Sequence, residues 1–231
     1  MRSISHLIMR SERLMRSKAG IAAAGLFSGG KDSLYAIYLA EREGVKIEHL
    51  ICLIPSFPVP SPHAENLEAI KFIARSMQRK LAIVDLHGGA DEFINVLRSL
   101  NVDILVAGDV CIEEHKLWLE KICSKANVTL LEPLFGRDTT KLFREIFNSG
   151  FEAIIIGVDT RYLEEELLGF TLNRETAADF LSRAGCADPL GENGEYHTLV
   201  TYCPLYPKPL RIKSAKKVTA DNITYLMLSI V

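Results

Sequence analysis

Short apolar runs alternate with segments of helical spacing from residue 21 onward, and this alternation limits the folds available to the chain. Between Leu67 and Met77, for example, apolar residues recur three or four positions apart, as on the buried face of a helix. A helix that links two strands of one sheet carries the chain back to the end of the sheet where the first strand began. The two strands are then parallel, and such crossovers are right-handed. Strands are predicted at five runs with few polar side chains, as expected for strands buried on both faces: residues 21–27, 47–54, 82–85, 104–107 and 128–131.

The pattern changes after Glu132 and Pro133, where we place a domain boundary. The prolines at positions 55, 58, 60 and 62 predict a loop that contains neither a helix nor a central strand. The expected fold class is α/β, with a Rossmann-like parallel-sheet domain over residues 19–131 and a smaller C-terminal α/β domain over residues 132–231. In the second domain, strands are predicted at residues 153–158, 196–202, 210–218 and 224–230.

Composition excludes several classes of protein. Hydrophobic residues make up 48% of the chain and charged residues 24%, a balance typical of globular rather than disordered proteins. No apolar run reaches the ~20 residues of a membrane-spanning helix, so no membrane partner is expected. The net charge of −2 argues against a dedicated nucleic-acid-binding protein, which usually carries a basic excess.

The N-terminus and the cysteines bear on where the protein works. Residues 1–18 form a basic extension with five basic residues and one acid; we interpret it as a surface helix, or as residues upstream of a true start at Met9 or Met15, rather than a transit peptide. The five cysteines are scattered and no pair has CxxC spacing, which indicates free, buried thiols in a reducing compartment. A cytoplasmic location is expected.

The strongest local signal is the sequence Ser28-Gly29-Gly30-Lys31-Asp32-Ser33, between the first predicted strand and the first predicted helix. A helix N-terminus presents unpaired N–H groups and the positive end of the helix dipole. Two glycines allow the backbone to curl around an anion, and the two serines add hydroxyl donors. This phosphate loop, residues 28–33, is not a Walker A loop, because Asp32 stands where Ser or Thr would hold magnesium.

The phosphate loop resembles the PP-loop of the N-type ATP pyrophosphatases, which cleave ATP between the α and β phosphates. The resemblance implies the fold of the adenine nucleotide alpha hydrolases. It also implies that residues 28–33 bind the pyrophosphate portion of ATP, with Asp32 acting in catalysis.

A second signal is the acidic loop, Gly191-Glu192-Asn193-Gly194-Glu195, which opens directly onto a predicted strand. Carboxylates beside a phosphate site can hold magnesium or orient an amine nucleophile. A solvated hairpin is the competing interpretation. Further candidates are His63 in the proline-rich loop, Asp109 at a strand end, and the adjacent Arg137 and Asp138. Each of these residues could contact a ligand, but each also has an ordinary structural explanation. His63 could be solvated in its loop, Asp109 could cap a helix, and Arg137 could form a salt bridge within the protein.

Several segments together resemble the diphthine–ammonia ligase family over residues 21 to about 213. The acidic loop and the strand after it resemble that family's GEGGEFET motif, and residues 134–138 its LWGRD segment. Residues 167–169 resemble its WLG segment, and residues 204–206 its PLF segment. His63 and Asn66 resemble its H-x-x-N pair.

This second resemblance implies ATP-dependent amidation of the diphthine carboxylate of a translation elongation factor, with ammonium as nitrogen donor and Mg²⁺ and ATP as cofactors. The carboxylate would be adenylated, and ammonia would expel AMP. Carried onto this chain, the catalytic residues are Asp32, Glu195 and, as second choice, Glu192. The nucleotide would be bound by residues 28–33 together with His63, Asn66, Asp109, Arg137 and Asp138. No residue is assigned as a metal ligand, and a homodimer is left open.

Other functions remain open from the sequence. Asn193 and His197 differ from the family motif, which leaves room for another acceptor, such as a tRNA. An adenine-nucleotide-binding protein without turnover is a third interpretation. The basic residues between Lys208 and Lys217 are interpreted as a solvated strand face, with a docking surface for an acidic protein or RNA as the alternative.

Overall fold

The computed structural model describes residues 22–56 and 60–231, so the basic extension lies outside the described residues. The first half forms a five-stranded parallel sheet in the order β3-β2-β1-β4-β5. Its strands are β1 (Ala22–Leu26), β2 (Lys46–Ile54), β3 (Lys80–Asp85), β4 (Ile104–Val106) and β5 (Thr129–Leu131). Its helices are α1 (Lys31–Arg42), α2 (Pro62–Glu65), α3 (Leu67–Ser76), α4 (Asp91–Leu100) and α5 (Glu113–Ala126). The predicted Rossmann-like α/β class is confirmed.

The strand order reverses beside β1, since β2 and β3 extend to one side of it and β4 and β5 to the other. In open parallel sheets, such a reversal leaves a crevice at the C-terminal ends of the two central strands, where ligands bind. The connection after β1 holds the phosphate loop, and the connection after β4 begins with Gly108 and Asp109.

The second half builds an antiparallel sheet. Its elements are α6 (Thr139–Asn148), β6 (Glu152–Asp159), β7 (Thr171–Leu172), α7 (Ala177–Arg183), β8 (Tyr196–Tyr202), β9 (Ile212–Ala220) and β10 (Ile223–Ile230). The order is β7-β6-β10-β9, with β8 also paired to β6. Strand β6 is the centre of this sheet, which is why its residues Ala153, Ile155 and Val158 are fully buried.

Apolar side chains cover both faces of the parallel sheet. One face packs against α4 and α5 through residues such as Phe93, Leu97 and Leu119. The other packs against α1 and α3 in a cluster that continues through α6 into the antiparallel sheet, where it includes Ile155 and Leu199. The two sheets therefore share one hydrophobic core. No helix within the described ranges is both long and apolar enough to cross a membrane.

Two local predictions are wrong. The sequence places Asp32 and Ser33 where they would cap a first helix over residues 34–43, but α1 begins at Lys31, with Gly30 as the residue before its first turn, so both side chains lie inside that turn. The proline-rich loop contains a helix after all, because Pro62 begins α2. Proline is favoured at a first helical position, where its missing N–H is not needed, and the Ser61 hydroxyl caps this turn by accepting from the Ala64 N–H.

Candidate active site

A cavity of about 380 Å³ lies at the C-terminal ends of β1, β2 and β4, where the strand order predicts a crevice. Its walls come from both sheets. The parallel sheet contributes the phosphate loop, apolar side chains such as Phe27 and Ile51, and Asp109. The antiparallel sheet contributes residues 190–192 and the start of β8 at Tyr196, His197 and Thr198. The fold thus brings together residues that are as far apart in the sequence as Leu26 and Thr198, about three quarters of the chain.

Hydrogen bonds within the phosphate loop fix its curl. The Ser33 hydroxyl donates to the Gly30 carbonyl at 3.0 Å and lies 3.3 Å from the Ser28 N–H, which donates to it. The Gly30 N–H donates to the Ser28 hydroxyl at 3.2 Å. Gly29 has a φ of +76°, in the left-handed region that favours glycine. The loop is therefore shaped before any ligand arrives.

Lys31 joins the phosphate loop to the second sheet. Its side chain is only 2% exposed. The ammonium donates to the Leu190 carbonyl and, at 2.9 Å, to the Asp32 carboxylate, and it lies 4.8 Å from the centre of the Tyr196 ring. The Lys31 N–H donates to the Thr198 hydroxyl at 3.2 Å. The sequence predicts Lys31 only as one of the phosphate-binding residues, whereas its side chain here is already engaged with protein groups.

Asp32 has one carboxylate oxygen committed to Lys31, while the other, Oδ1, is buried without a hydrogen-bond partner in the described part of the chain. Burial raises the pKa of this carboxyl, and the neighbouring Lys31 ammonium acts in the opposite direction. An unpartnered buried oxygen beside a phosphate loop is suited to a cation that enters with the ligand.

Glu195 does not line the cavity. Its side chain is 3% exposed and accepts hydrogen bonds from the Asp188 N–H at 3.0 Å and from the Asn193 N–H and side-chain amide at 2.9 Å each. Although burial acts to raise it, the pKa of Glu195 is lowered because these donors favour the ionised form. The Glu195 carboxylate therefore stabilises the conformation of the acidic loop, and Asn193 supplies two of its three hydrogen-bond donors.

Glu192 is the member of the acidic loop that lines the cavity. Burial raises the pKa of its carboxyl to about 7, with the nearby Asp32 carboxylate adding to the effect. The Cys111 thiol lies 3.7 Å from its Oε2. A carboxyl that titrates near neutral pH can exchange protons with a substrate, and of the two sequence-predicted acids in this loop only Glu192 lines the cavity.

His63 and His197 form a perpendicular pair in the cavity wall, with ring centres 5.3 Å apart. Burial lowers the pKa of His63 to about 3, with His197 adding to this, and burial and the Lys31 ammonium lower that of His197 to about 4. Both rings are therefore neutral at pH 7. Asp109, also in the wall, contacts the His115 ring at 3.1 Å.

Three sequence-predicted ligand contacts lie outside the cavity. Asn66 is buried, and its amide bonds the backbone of Pro62, Leu226 and Leu228 at 2.7 Å each. Arg137 pairs with Glu145, while the Asp138 carboxylate caps α6 by accepting from the Lys141 N–H at 2.8 Å. These side chains already have partners that hold elements together.

Sequence reasoning missed several residues of the cavity wall, among them Gly108, His115 and Thr198. A Cβ on Gly108 would lie 2.8 Å from the Asp32 backbone, so this glycine permits β4 to approach α1. A glycine directly after a buried strand was the available signal. Thr198 ends the segment that resembles GEGGEFET, which was a signal of a kind, whereas His115 gave none, because the pairing of distant elements places it.

The described residues contain no cluster of three or more His, Cys, Asp or Glu arranged to hold a metal ion. Metal binding at this cavity would therefore rely on one or two carboxylates together with ligand oxygens, which is a common arrangement for Mg²⁺.

All five cysteines are free, as predicted, but Cys111 and Cys186 are exposed rather than buried.

Comparison with known proteins matches both halves of the chain. Residues 21–130 match the family model described as the diphthamide synthase N-terminal domain, and residues 138–229 match the diphthamide synthase C-terminal domain. The diphthine–ammonia ligase of Rattus norvegicus is 28% identical over an alignment 240 positions long, which covers 89% of this chain and 90% of that protein. Those of Homo sapiens and Danio rerio are each 27% identical, covering 84% of this chain and 84% and 87% of theirs. The chain belongs to the diphthamide synthase family.

Proposed function

We propose that this protein is an ATP-dependent diphthine–ammonia ligase, which converts the carboxylate of a diphthine residue on a translation elongation factor into an amide. The observation that carries the proposal is a cavity that combines a preformed phosphate loop with a carboxyl of near-neutral pKa, Glu192, in a chain of this family. Because the proposed substrate is a translation factor, we propose a cytoplasmic location.

The first half of the reaction needs the phosphate loop. A carboxylate oxygen of the substrate attacks the α-phosphorus of ATP, and the bond to the β-phosphate oxygen breaks, which leaves an acyl-adenylate and pyrophosphate. The start of α1, with the positive end of its dipole, and the residues Ser28 and Ser33 line the cavity where negative charge would grow on the departing pyrophosphate. The apolar ends of β1 and β2 exclude water from the intermediate.

Mg²⁺ is part of the proposal, and the residues present fit it. Asp32 would hold it, because its Oδ1 is buried without a partner beside the phosphate loop. When bound, the ion would neutralise charge on the phosphates. When Asp32 is ionised, the ion would also offset the repulsion between its carboxylate and the phosphates of ATP.

The second half needs an acid–base group. The nitrogen of ammonia attacks the acyl carbon, the bond from that carbon to the AMP oxygen breaks, and the nitrogen must lose one proton to become an amide. Glu192 is suited to take that proton, because its pKa of about 7 keeps it partly ionised at neutral pH. Its carboxylate would also attract ammonium into the cavity, and ammonium must first release one proton to water to become the ammonia that attacks.

The test is a reaction with ATP, Mg²⁺, ammonium and an elongation factor that carries diphthine. We expect conversion of the acid to the amide by mass spectrometry, with one AMP and one pyrophosphate formed per amide. Formation of ADP, or AMP release without amide, contradicts the proposal. Gly30→Ala serves as a matched inactive control, since an added Cβ would lie 3.2 Å from the Ser28 hydroxyl and 3.1 Å from the His63 ring.

A further inference from the structure

The β9–β10 hairpin, with the residues from Lys208 that lead into it, is unusually uncovered; we call it the basic ribbon. Strand β9 is at the edge of its sheet and pairs with β10 alone within the described ranges. Six consecutive residues, 212–217, are exposed, so both faces of this part of the strand are open. A strand of an antiparallel sheet normally buries one face against the core. Here the described residues bury neither face of residues 212–217.

The charge of the basic ribbon is opposite to that of the rest of the chain. Five cations lie between residues 208 and 217, and no acid occurs between Glu195 and Asp221. Only Lys217 has an ion pair within the described residues, with Glu165. The remaining cations are Lys208, Arg211, Lys213 and Lys216. Unpaired cations at this density, in a chain of net charge −2, are complementary to an acidic surface.

The exposed apolar residues distinguish a protein partner from RNA. Three of the six large apolar side chains exposed in the described residues, Ile212, Met227 and Val231, lie on the ribbon or directly after it. All three are aliphatic or thioether side chains. RNA-binding surfaces instead place aromatic side chains among the cations for stacking on bases. A mixed cationic and aliphatic surface is typical of a protein interface.

A groove runs between the ribbon and the segment that follows α2. It has a volume of about 410 Å³ and is lined by Lys216 and Met227 on the ribbon side and by Glu65, Leu67 and Glu68 on the other, so its positive charge lies on the ribbon side alone. Helix α2 also supplies His63 to the wall of the active-site cavity. The groove and the cavity therefore lie on two sides of one helical turn, which Asn66 ties to β10.

We infer that the basic ribbon and this groove are the docking surface for the protein substrate, which presents an acidic face to it. The inference rests on the proposed function, in which the reacting side chain enters the cavity while the folded protein that carries it remains outside. The carrier must then contact surface near the cavity. The ribbon supplies charge for orientation, and Met227 with Ile212 supplies apolar contact.

A second copy of this chain is a poorer occupant. Two β9 edges that paired antiparallel would bring together lysines from both copies, and lysines on an edge strand oppose such pairing. A separate acidic protein meets the same cations without this repulsion.

The test compares two double variants. Lys213→Glu with Lys216→Glu changes the ribbon, and Lys46→Glu with Lys80→Glu changes two exposed lysines at the opposite end of the parallel sheet. We expect the ribbon variant to raise KM for the intact protein substrate at least about tenfold, because rim charges orient the encounter. KM for ATP, and kcat/KM for a short peptide that carries diphthine, should not change, because neither contacts the ribbon.

The other outcomes overturn the inference. Equal KM values for the intact protein in both double variants exclude the ribbon as the docking surface, and a loss of peptide activity in the ribbon variant makes it part of the folded site instead. RNA that binds the wild type on filters but not the ribbon variant, with KM for the protein unchanged, identifies RNA as the occupant. If the wild type turns over no substrate, the proposed function fails. Docking is then read from fluorescence anisotropy of labelled substrate protein, which the ribbon variant alone should weaken.

Discussion

Glu192 and Glu195 stand three positions apart in one loop and meet different surroundings. Glu192 faces the cavity with its pKa raised to about 7, whereas Glu195 is buried and accepts three hydrogen bonds from its own loop. We expect Glu192→Gln to reduce amide formation by roughly 10²–10⁴-fold, because it removes a positioned base, and to leave the free energy of unfolding unchanged. Steady-state kinetics and urea denaturation measure the two quantities.

Glu195→Gln is the matched comparison. Glutamine keeps the shape but loses the charge and turns one acceptor oxygen into a donor, so stability should fall by about 1–3 kcal/mol. A variant that stays as stable as the wild type but makes no amide would return the catalytic role to Glu195, as the sequence predicts.

The histidine pair predicts a pH dependence of stability. The pKa of His63 is about 3 and that of His197 about 4 in the folded protein, while unfolded histidine titrates near 6.5. Below pH 6.5 the unfolded chain takes up protons that the folded chain refuses, so stability is lost as pH falls from 6.5 towards 4. Wild type should lose on the order of 1–3 kcal/mol more over this range than His197→Gln.

Urea denaturation at pH 7 and pH 4.5 measures this difference. His87→Gln is the control, because His87 is exposed on the surface. The same acid sensitivity in the wild type and the His197 variant would mean that the ring is protonated inside the folded cavity.

Among the elements, the end of α2 is tied to β10 by a side chain that takes the hydrogen bonds a neighbouring strand would otherwise make. Asn66 follows this helix and bonds Leu226 and Leu228 of β10 at the positions where a neighbouring strand would pair. We expect Asn66→Ala to cost about 2–4 kcal/mol, because it leaves buried backbone groups unpaired, with KM for ATP unchanged. Asn148→Ala, at an exposed helix end, should cost much less. A stable Asn66→Ala variant with weakened ATP binding would instead favour the ligand contact predicted from sequence.

Elements whose signal is local were predictable from the sequence. Helical spacing in the sequence predicts helices over residues 91–100, 113–126 and 139–148, and the structure has them with the same bounds, as Asp91–Leu100, Glu113–Ala126 and Thr139–Asn148. Helix α2 was missed because proline is disfavoured in helices except in the first turn, and composition does not show where a turn begins.

The site was predictable only where one segment defines it. The phosphate loop carries its signal in six consecutive residues, and the structure places Ser28, Gly30, Lys31, Asp32 and Ser33 in the cavity wall. The surroundings of Glu192 and Glu195 depend instead on the conformation of the acidic loop. Leu190, directly before that loop, accepts a hydrogen bond from Lys31, which lies 159 positions earlier in the sequence. Such long-range contacts leave no spacing pattern in the sequence.

In the whole molecule, the two sheets share one hydrophobic core and the cavity takes its walls from both. We therefore expect one cooperative unfolding transition by calorimetry, and ATP should stabilise the entire chain. At 100 times its Kd, ATP would add about 2.7 kcal/mol. Two resolved transitions, with only one moved by ATP, would show that the halves unfold independently and that one of them binds the nucleotide alone.

The contact between the phosphate loop and β8 also bears on how the protein is made. The Gly29 carbonyl accepts from the Val200 N–H, and the Lys31 N–H donates to Thr198, so both ends of these bonds exist only when residue 200 has been synthesised. Chains are made from the N-terminus, and folding can begin before synthesis ends. The loop that appears first in the growing chain is therefore completed among the last parts. An unfinished chain has the phosphate loop without the two bonds that hold it against β8 and without the part of the cavity wall that β8 supplies, so we expect full nucleotide binding only from the finished chain.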